Sequence, residues 1–215
     1  MGEDQVDDSL LLAWLTARSI ARGLPAPVAD HGGFRVDTKS EAEVRRWLFS
    51  RAGTGLAALA RSIDAPRHPI KLCGDGDTLL AALPEGWQLH AQNWFMRSSG
   101  TPVALPDLGD YRIETTSGEA VTEVRIMAAS GDLAASGYAA ETDDAFVYDR
   151  IVTMPEHRRK GLGTMLMAVL GHAKRCPETP ELLVATDDGR ALYTRLGWQT
   201  LSSYSTASIP GRLDQ

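Results

Sequence analysis

A basic, glycine-containing turn is the segment of this chain best suited to chemistry. It consists of Arg158, Arg159, Lys160, Gly161, Leu162, Gly163 and Thr164. An apolar stretch of β-forming residues, 145–154, precedes it, and apolar residues at helical spacing follow it over 164–174. In such a strand–turn–helix junction, successive backbone N–H groups converge and the start of the helix adds partial positive charge. The pattern therefore predicts a binding site for a pyrophosphate in this segment, which we name the basic turn (158–164).

Two common nucleotide motifs do not fit the basic turn. A P-loop ends in Gly-Lys-Ser/Thr, whereas Gly163 is followed by Thr164 and Met165. A dinucleotide-binding fingerprint needs a third glycine where this chain has Leu166. A plain strand–turn–helix with a solvated basic turn remains as the alternative at this point.

The basic turn has the form Arg-x-x-Gly-x-Gly. This form resembles the acyl-CoA signature of the GNAT superfamily of N-acetyltransferases. A second pattern, in which Leu192 and Tyr193 precede Gly197 and Trp198, resembles the closing signature of the same family. The resemblance extends from Tyr111 to the last predicted strand.

This resemblance implies an α/β (α+β) fold with a mixed central sheet flanked by helices. It also implies acetyl-CoA as co-substrate, without a metal. The pantetheine arm would pair, like an added strand, with the backbone of Ile151, Val152 and Thr153. The basic turn would cradle the pyrophosphate, and Tyr193 would act as general acid toward the leaving thiolate.

The expected reaction is direct attack of a neutral amine on the thioester carbonyl, so a base must take a proton from the amine. A free tyrosine has a pKa near 10, so Tyr193 is expected to be protonated and able to donate. The alternative for Tyr193 is a packed aromatic ring whose hydroxyl bonds a neighbour. Asp149, which alternation places on the same strand face as Val147, is the candidate base. A structural ion pair of Asp149 with Arg150 or Arg125, with water as the base, is the alternative.

The sequence departs from the family pattern just before the Leu–Tyr pair. An asparagine often opens that helix in the family, whereas this chain has Thr186, Asp187 and Asp188. Asp188 is expected to cap the helix. No CoA contact is carried over to this stretch.

The C-terminal half alternates predicted strands and helices. The expected strands span 111–115, 121–128, 133–140, 145–154, 182–185 and 198–204. The expected helices span 164–174 and 188–196. The sequence predicts two domains: a divergent, helix-rich N-terminal domain at 1–105 and a GNAT acetyltransferase domain at 106–215, joined by a linker at 98–109.

The N-terminal half is predicted to be mostly helical. The expected helices span 10–22, a stretch from Thr38 or Ser40 through Leu48, 56–63 and 77–83. Strands are expected at 70–73 and 87–96, and a loop at 24–37. Because no room for two helices exists between Tyr111 and Val121, this half is expected to supply the acceptor site or to be a degenerate GNAT-like half. His31, His68 and His90 are candidate acceptor contacts.

Composition narrows the class of partner. The 215 residues carry a net charge of −6, which argues against a nucleic-acid binder held by phosphate contacts. A helix-turn-helix at 41–63 is an alternative.

Cys73 and Cys176 are far apart, which favours free thiols in a reducing cytoplasm. No apolar run approaches the roughly 20 residues of a membrane helix, so no membrane contact is expected. Met165 and Met167 are expected in the core or in a subunit contact, which leaves a homodimer open.

The sequence therefore predicts an N-acetyltransferase that moves an acetyl group from acetyl-CoA to a primary amine of a small molecule. Two alternatives stay open. One is longer-chain acyl transfer, as in the glycine N-acyltransferases. The other is a non-catalytic acyl-CoA-binding module.

Overall fold

The computed structural model describes residues 6–100 and 105–211. Its N-terminal half combines three helices with six strands. In chain order these are α1 (Asp8–Ala21), β1 (Val28–Asp30), β2 (Gly33–Asp37), β3 (Arg45–Phe49), α2 (Thr54–Ser62), β4 (Ile70–Leu72), α3 (Gly76–Ala81), β5 (Gln88–Leu89) and β6 (Asn93–Ser98). Part of the predicted linker, 101–104, lies outside the described residues.

The C-terminal half follows the predicted succession. Its elements are β7 (Arg112–Ser117), β8 (Val121–Met127), β9 (Leu133–Glu141), β10 (Phe146–Thr153), a 3-10 turn (Pro155–His157), α4 (Leu162–Gly171), β11 (Glu181–Ala185), α5 (Asp187–Arg195) and β12 (Trp198–Ser208). Every strand and helix expected in this half is present, with bounds shifted by a few residues. The α/β fold with a mixed sheet flanked by helices is confirmed.

Strands from both halves form one sheet. The order is β1-β2-β3-β4-β12-β6-β11-β10-β9-β8-β7, and β5 also pairs with β12. The β3–β4 and β10–β11 pairs are parallel, and the other pairs are antiparallel. β6 of the N-terminal half lies between β11 and β12 of the C-terminal half. The division at 105/106 into two domains stays a prediction.

Three elements of the N-terminal half differ from the prediction. The helix expected through Leu48 is strand β3, the loop expected at 24–37 contains the β1–β2 hairpin, and the strand expected at 87–96 is divided into β5 and β6. Leu48 packs on the α1 side of the sheet, while Trp47 and Phe49 pack with α2 on the other side. A strand buried on both faces has no polar side, so its apolar spacing also fits a helix. The helix-turn-helix hypothesis is wrong, because β3 occupies its first helix.

Helices cover both faces of the sheet around β10. Phe146 and Tyr148 of β10 lie in one core cluster with Leu166 and Leu170 of α4. Val147, between them, lies in a second cluster with α1 on the opposite face. Alternate residues of β10 therefore contact different helices, which positions this strand between two layers. Met165 and Met167 are buried in the α4 cluster. No helix among residues 6–100 and 105–211 is long and apolar enough to span a membrane.

Candidate active site

A cavity of about 980 Å³ opens where β10 and β11 separate. The two strands are paired only at Phe146↔Glu181 and Val147↔Leu182. Beyond these pairs the strands diverge, and the cavity is lined by Asp149 to Thr153 of β10 on one side and by Leu183 to Thr186 on the other. The cavity reaches the basic turn at one end and helix α1 at the other.

A bulge in β10 shapes the cavity wall. The pairing of β10 with β9 shifts register between Asp149 and Val152, and Arg150 within this interval has a positive φ of 53°. Ile151, Val152 and Thr153 follow the start of the bulge, and all three line the cavity. No described strand pairs with them on the β11 side. Backbone groups that face that side are able to bond an extended ligand, although the Thr153 carbonyl accepts a hydrogen bond from Arg158 Nε at 3.5 Å.

The basic turn presents an uncapped helix start to the cavity. Helix α4 begins at Leu162, no side chain caps it, and its first internal bond runs from Met165 N–H to Gly161 C=O at 3.0 Å. The N–H groups of Leu162, Gly163 and Thr164 therefore lack partners within the helix. Such groups, together with the helix dipole, favour an anion.

The two positions of the basic turn that hold glycine require it for different structural reasons. Gly161 has φ of 80°, the left-handed region that costs other residues roughly 1–2 kcal/mol. Gly163 lies against α5, because a Cβ there would be 2.8 Å from Leu192 Cδ2. Gly161 thus allows the turn, and Gly163 allows α4 to approach α5 closely.

Six of the seven residues of the basic turn line the cavity: Arg158, Arg159, Gly161, Leu162, Gly163 and Thr164. Lys160 is not among the lining residues. Its ammonium donates to the Tyr111 hydroxyl at 3.2 Å, and that hydroxyl also bonds His157 Nδ1 at 2.8 Å. The structure thus brings the turn together with Ile151, Val152 and Thr153, while Lys160 lies beside β7.

Tyr193, on α5, lies in the cavity wall. Its side chain is 6% exposed and packs against Trp198, with ring centroids 5.9 Å apart. Its hydroxyl forms no hydrogen bond with any residue in the described ranges. Burial raises the pKa of Tyr193 well above its usual value, which keeps the hydroxyl protonated. A protonated, unengaged hydroxyl in the wall is able to donate a proton to a ligand.

Asp149 is the centre of an ion-pair cluster. Its carboxylate accepts hydrogen bonds from Arg22 Nε at 2.6 Å and from Arg22 Nη2 at 2.9 Å. Arg150 Nε lies 3.3 Å and Arg18 Nε 3.5 Å from its oxygens. The sequence left Asp149 as a base or as the partner of Arg150 or Arg125 in a structural ion pair. The structure contains the ion pair with Arg150. A proton transferred to Asp149 would break these contacts.

The cavity wall also contains residues that the sequence motifs do not indicate, among them Trp14, Arg18, Arg22 and Lys71. A signal for the first three exists, because a spacing of four places them on one face of α1. This face carries two arginines on a helix whose buried residues, apart from Ser19, are apolar. Lys71 gives a weaker signal, as a single charge between Ile70 and Leu72 in a buried strand.

Other expected contacts lie elsewhere. His31, His68 and His90 do not line the cavity. Thr186, and not Asp188, caps α5, since its hydroxyl accepts from Gly189 N–H at 3.2 Å. Within the part of the chain that the structure describes, no group of three or more His, Cys, Asp or Glu residues could hold a metal ion.

Residues 121–200 match the sequence family described as the acetyltransferase (GNAT) domain. This segment is a GNAT domain. The match extends from β8 to the start of β12 and includes the basic turn and Tyr193. The match confirms, over this segment, the resemblance inferred from the two signatures, and a domain of this family indicates an N-acyltransferase. No curated protein matches the chain.

Solved structures of GNAT proteins share the fold over most of the chain. A GCN5-related N-acetyltransferase from Kribbella flavida is similar with a TM-score of 0.63 and 14% identity, over 95% of this chain and 96% of that one. A GNAT-family acetyltransferase from Novosphingobium aromaticivorans has a TM-score of 0.53 and 18% identity, over 92% and 95% of the two chains. A GCN5-related N-acetyltransferase from Sphaerobacter thermophilus has a TM-score of 0.56 and 11% identity, over 86% and 79%. At these identities the likeness shows the fold alone, and the shared fold includes most of the N-terminal half of the chain.

Proposed function

We propose that this GNAT protein transfers an acetyl group from acetyl-CoA to the primary amine of a small molecule. The observation that carries the proposal is the cavity between β10 and β11, which joins the uncapped start of α4 to a chamber under α1. One end suits a pyrophosphate, and the other has room for a second reactant. Such a cavity would hold donor and acceptor on opposite sides of the gap, with the reacting groups meeting inside it.

The donor would be held mainly by backbone groups. The N–H groups at the start of α4 would bond the pyrophosphate, with Arg158 and Arg159 adding positive charge. The exposed backbone of Ile151, Val152 and Thr153 would pair with the pantetheine amides. Lys160 would contribute only long-range charge, because its ammonium contacts Tyr111 and is outside the cavity wall.

The chemistry needs one proton donor and one proton acceptor. The amine nitrogen attacks the thioester carbonyl, the C–N bond forms and the C–S bond breaks. Tyr193 would give its proton to the leaving sulfur, since its hydroxyl is protonated and has no partner in the described structure. The proton of the amine would leave through water, because Asp149 is held by ion pairs with arginines. The assignment of Asp149 as the base stays a prediction.

Ligand-dependent unfolding and product formation would test this function. At about 100 times its Kd, acetyl-CoA should stabilise the protein by roughly 2.7 kcal/mol and raise the unfolding midpoint. Mass spectrometry of an amine panel should then show N-acetyl products with release of CoA. Stabilisation without any product would favour the acyl-CoA-binding module, and a preference for longer acyl-CoAs would favour the longer-chain acyl transferase. No stabilisation by acetyl-CoA, longer acyl-CoAs or free CoA would contradict the proposal.

The two cysteines are relevant to the cellular compartment in which the protein works. Cys73 is buried and Cys176 is exposed, and both are free thiols. An exposed thiol and the use of acetyl-CoA fit a reducing cytoplasm. A homodimer stays a prediction.

A further inference from the structure

The α1 end of the cavity is lined by a set of polar and aromatic residues that we name the acceptor end. Its members are Trp14, Arg18, Lys71, Asn93, Tyr204 and Thr206. Strand register places the last four on one face of the sheet, since Lys71 is opposite Thr206 and Asn93 is opposite Tyr204. Tyr204 lies in the α1 core cluster, so this face is the one that α1 covers.

Positive charge exceeds negative charge around the acceptor end. Arg22 is bonded to Asp149, and Arg46 is paired with Glu43. Arg18 Nε lies 3.5 Å from an oxygen of Asp149. This contact is longer than the two hydrogen bonds that Arg22 donates to the same carboxylate. Lys71 thus has no carboxylate partner among the described residues, and Arg18 shares the single charge of Asp149 with Arg22 and Arg150.

The Lys71 side chain has few polar contacts for a charged group. Its ammonium lies 3.5 Å from Thr206 Oγ1, and no carboxylate of the described residues forms an ion pair with it. Burial is the main cause that lowers the pKa of Lys71 to about 8; Glu43 opposes the shift, and Arg46, Arg18 and Arg22 add to it. Burial, followed by Arg22 and Arg46, lowers the pKa of Arg18 to about 10. The main cause of both shifts is desolvation of a positive charge, and an anionic ligand would offset this cost.

Trp14 adds a second, independent observation. Its ring is 1% exposed, and its indole N–H is buried without an acceptor among residues 6–100 and 105–211. A buried donor without a partner costs free energy, so such a group usually meets a ligand or water. Arg18 lies over the same ring, with its guanidinium carbon 5.2 Å from the centroid. The indole N–H of Trp14 and the guanidinium of Arg18 therefore lie close together in the cavity wall.

We propose that the acceptor carries an anionic oxygen group in addition to its amine, and that Arg18, Lys71 and Trp14 bind this group. The inference rests on the proposed function, in which the acceptor occupies the α1 end of the cavity. A carboxylate or a phosphonate would accept hydrogen bonds from all three side chains. The substrate class is thus the amino acids and their phosphonate analogues, and simple uncharged amines are poor acceptors.

Matched pairs of acceptors test the charge requirement. We would compare L-amino acids with their amides, and aminoalkylphosphonates with amines of the same chain length, measuring kcat/KM for N-acetylation. We expect the acids to be preferred at least about tenfold, as for the loss of one charge-assisted hydrogen bond. A preference for the carboxylates over the phosphonates, or the reverse, identifies which oxyanion the site takes. Equal turnover of acids and amides would overturn the inference and leave acetyl transfer intact.

Substitutions would assign the preference to these residues. Lys71→Met and Arg18→Gln should each reduce the acid-over-amide ratio about tenfold without changing KM for acetyl-CoA. Arg112→Gln is the matched control, because Arg112 is exposed and pairs with Glu114 away from the cavity. An unchanged ratio in both cavity variants would overturn the assignment.

A binding measurement keeps the inference testable if no amine in the panel is acetylated. The thermal midpoint of the CoA-saturated protein would be measured with N-acetyl amino acids and with the corresponding N-acetyl amino acid amides. The acids should raise the midpoint of the wild-type protein and have no such effect on Lys71→Met. If the acids and amides shift the midpoint equally, or neither shifts it, the inference is wrong. Failure of CoA itself to raise the midpoint would instead count against the proposed function.

Discussion

Arg22 and Asp149 are 127 residues apart in the chain, and the Arg22 guanidinium forms two hydrogen bonds to the Asp149 carboxylate, at 2.6 and 2.9 Å. The contact joins the end of the first helix to the strand that forms the cavity wall. It thereby fixes α1 over the gap between β10 and β11. Because α1 also carries Trp14 and Arg18, the Arg22–Asp149 pair positions the side chains of the acceptor end.

Asp149→Asn distinguishes a base from a positioning residue. The asparagine keeps the shape of the side chain but leaves the arginines without their carboxylate, which should cost about 1–3 kcal/mol of the unfolding free energy. If Asp149 positions α1, KM for the acceptor should rise several-fold while the pH profile of kcat keeps its form. Loss of the acidic limb of that profile, with KM unchanged, would assign Asp149 as the base.

Tyr193→Phe tests the general acid. Removal of one hydroxyl should reduce kcat about a hundredfold, the lower range for general acid–base catalysis, while KM for acetyl-CoA stays constant. Because the hydroxyl has no hydrogen-bond partner among the described residues, its removal should leave the thermal midpoint nearly unchanged. Tyr138→Phe is the control, because Tyr138 bonds Glu123 and does not line the cavity. A Tyr193→Phe variant with wild-type kcat would contradict the assignment.

Gly161→Ala tests the role of the basic turn. Alanine is disfavoured at the φ of 80° found there, so the turn should change shape and KM for acetyl-CoA should rise about tenfold. Gly131→Ala is the matched control, because Gly131 has φ of 91° in the β8–β9 turn and is outside the cavity. Both variants should lose similar stability, roughly 1–2 kcal/mol, and only Gly161→Ala should weaken cofactor binding. Equal KM values in the two variants would count against the turn as the pyrophosphate site.

Lys71 should make stability depend on pH in the alkaline range. Its pKa of about 8 in the folded protein is below the ordinary 10.5, so the unfolded chain binds more protons between these values. Stability therefore rises with pH across this window. The titratable groups that face Lys71 are Arg18 of α1, Arg22 at the C-cap of α1, Glu43 before β3, Arg46 of β3 and His90.

Lys71→Met isolates this contribution. The variant should be more stable than the wild-type protein at pH 7, where the wild type holds a protonated lysine in a buried site. The advantage should decrease as the pH rises from 8 to 10.5, when the lysine becomes neutral in both states. Denaturant unfolding of both proteins over this range measures the difference. A constant difference would show that Lys71 does not titrate in the window.

The sequence by itself determined the C-terminal half and its cofactor side. A strand, the basic turn and a helix are neighbours in the chain, and local spacing is enough to place Gly161 at the start of α4. The Leu–Tyr pair before Gly197 likewise predicted α5 and the position of Tyr193 on it. These features depend on backbone preferences of adjacent residues, which a single sequence carries.

Only the tertiary structure decided that β3 is a strand and not a helix, which residues pair with Asp149 and which residues line the acceptor end. Apolar residues of β3 are buried on both faces, so their spacing does not separate a strand from a helix. Arg22 reaches Asp149, and Lys71 reaches the cavity, through contacts between segments far apart in sequence. Such contacts follow from how the sheet orders its strands. Local sequence preference does not specify that order, because it arises from the burial of all the apolar faces together.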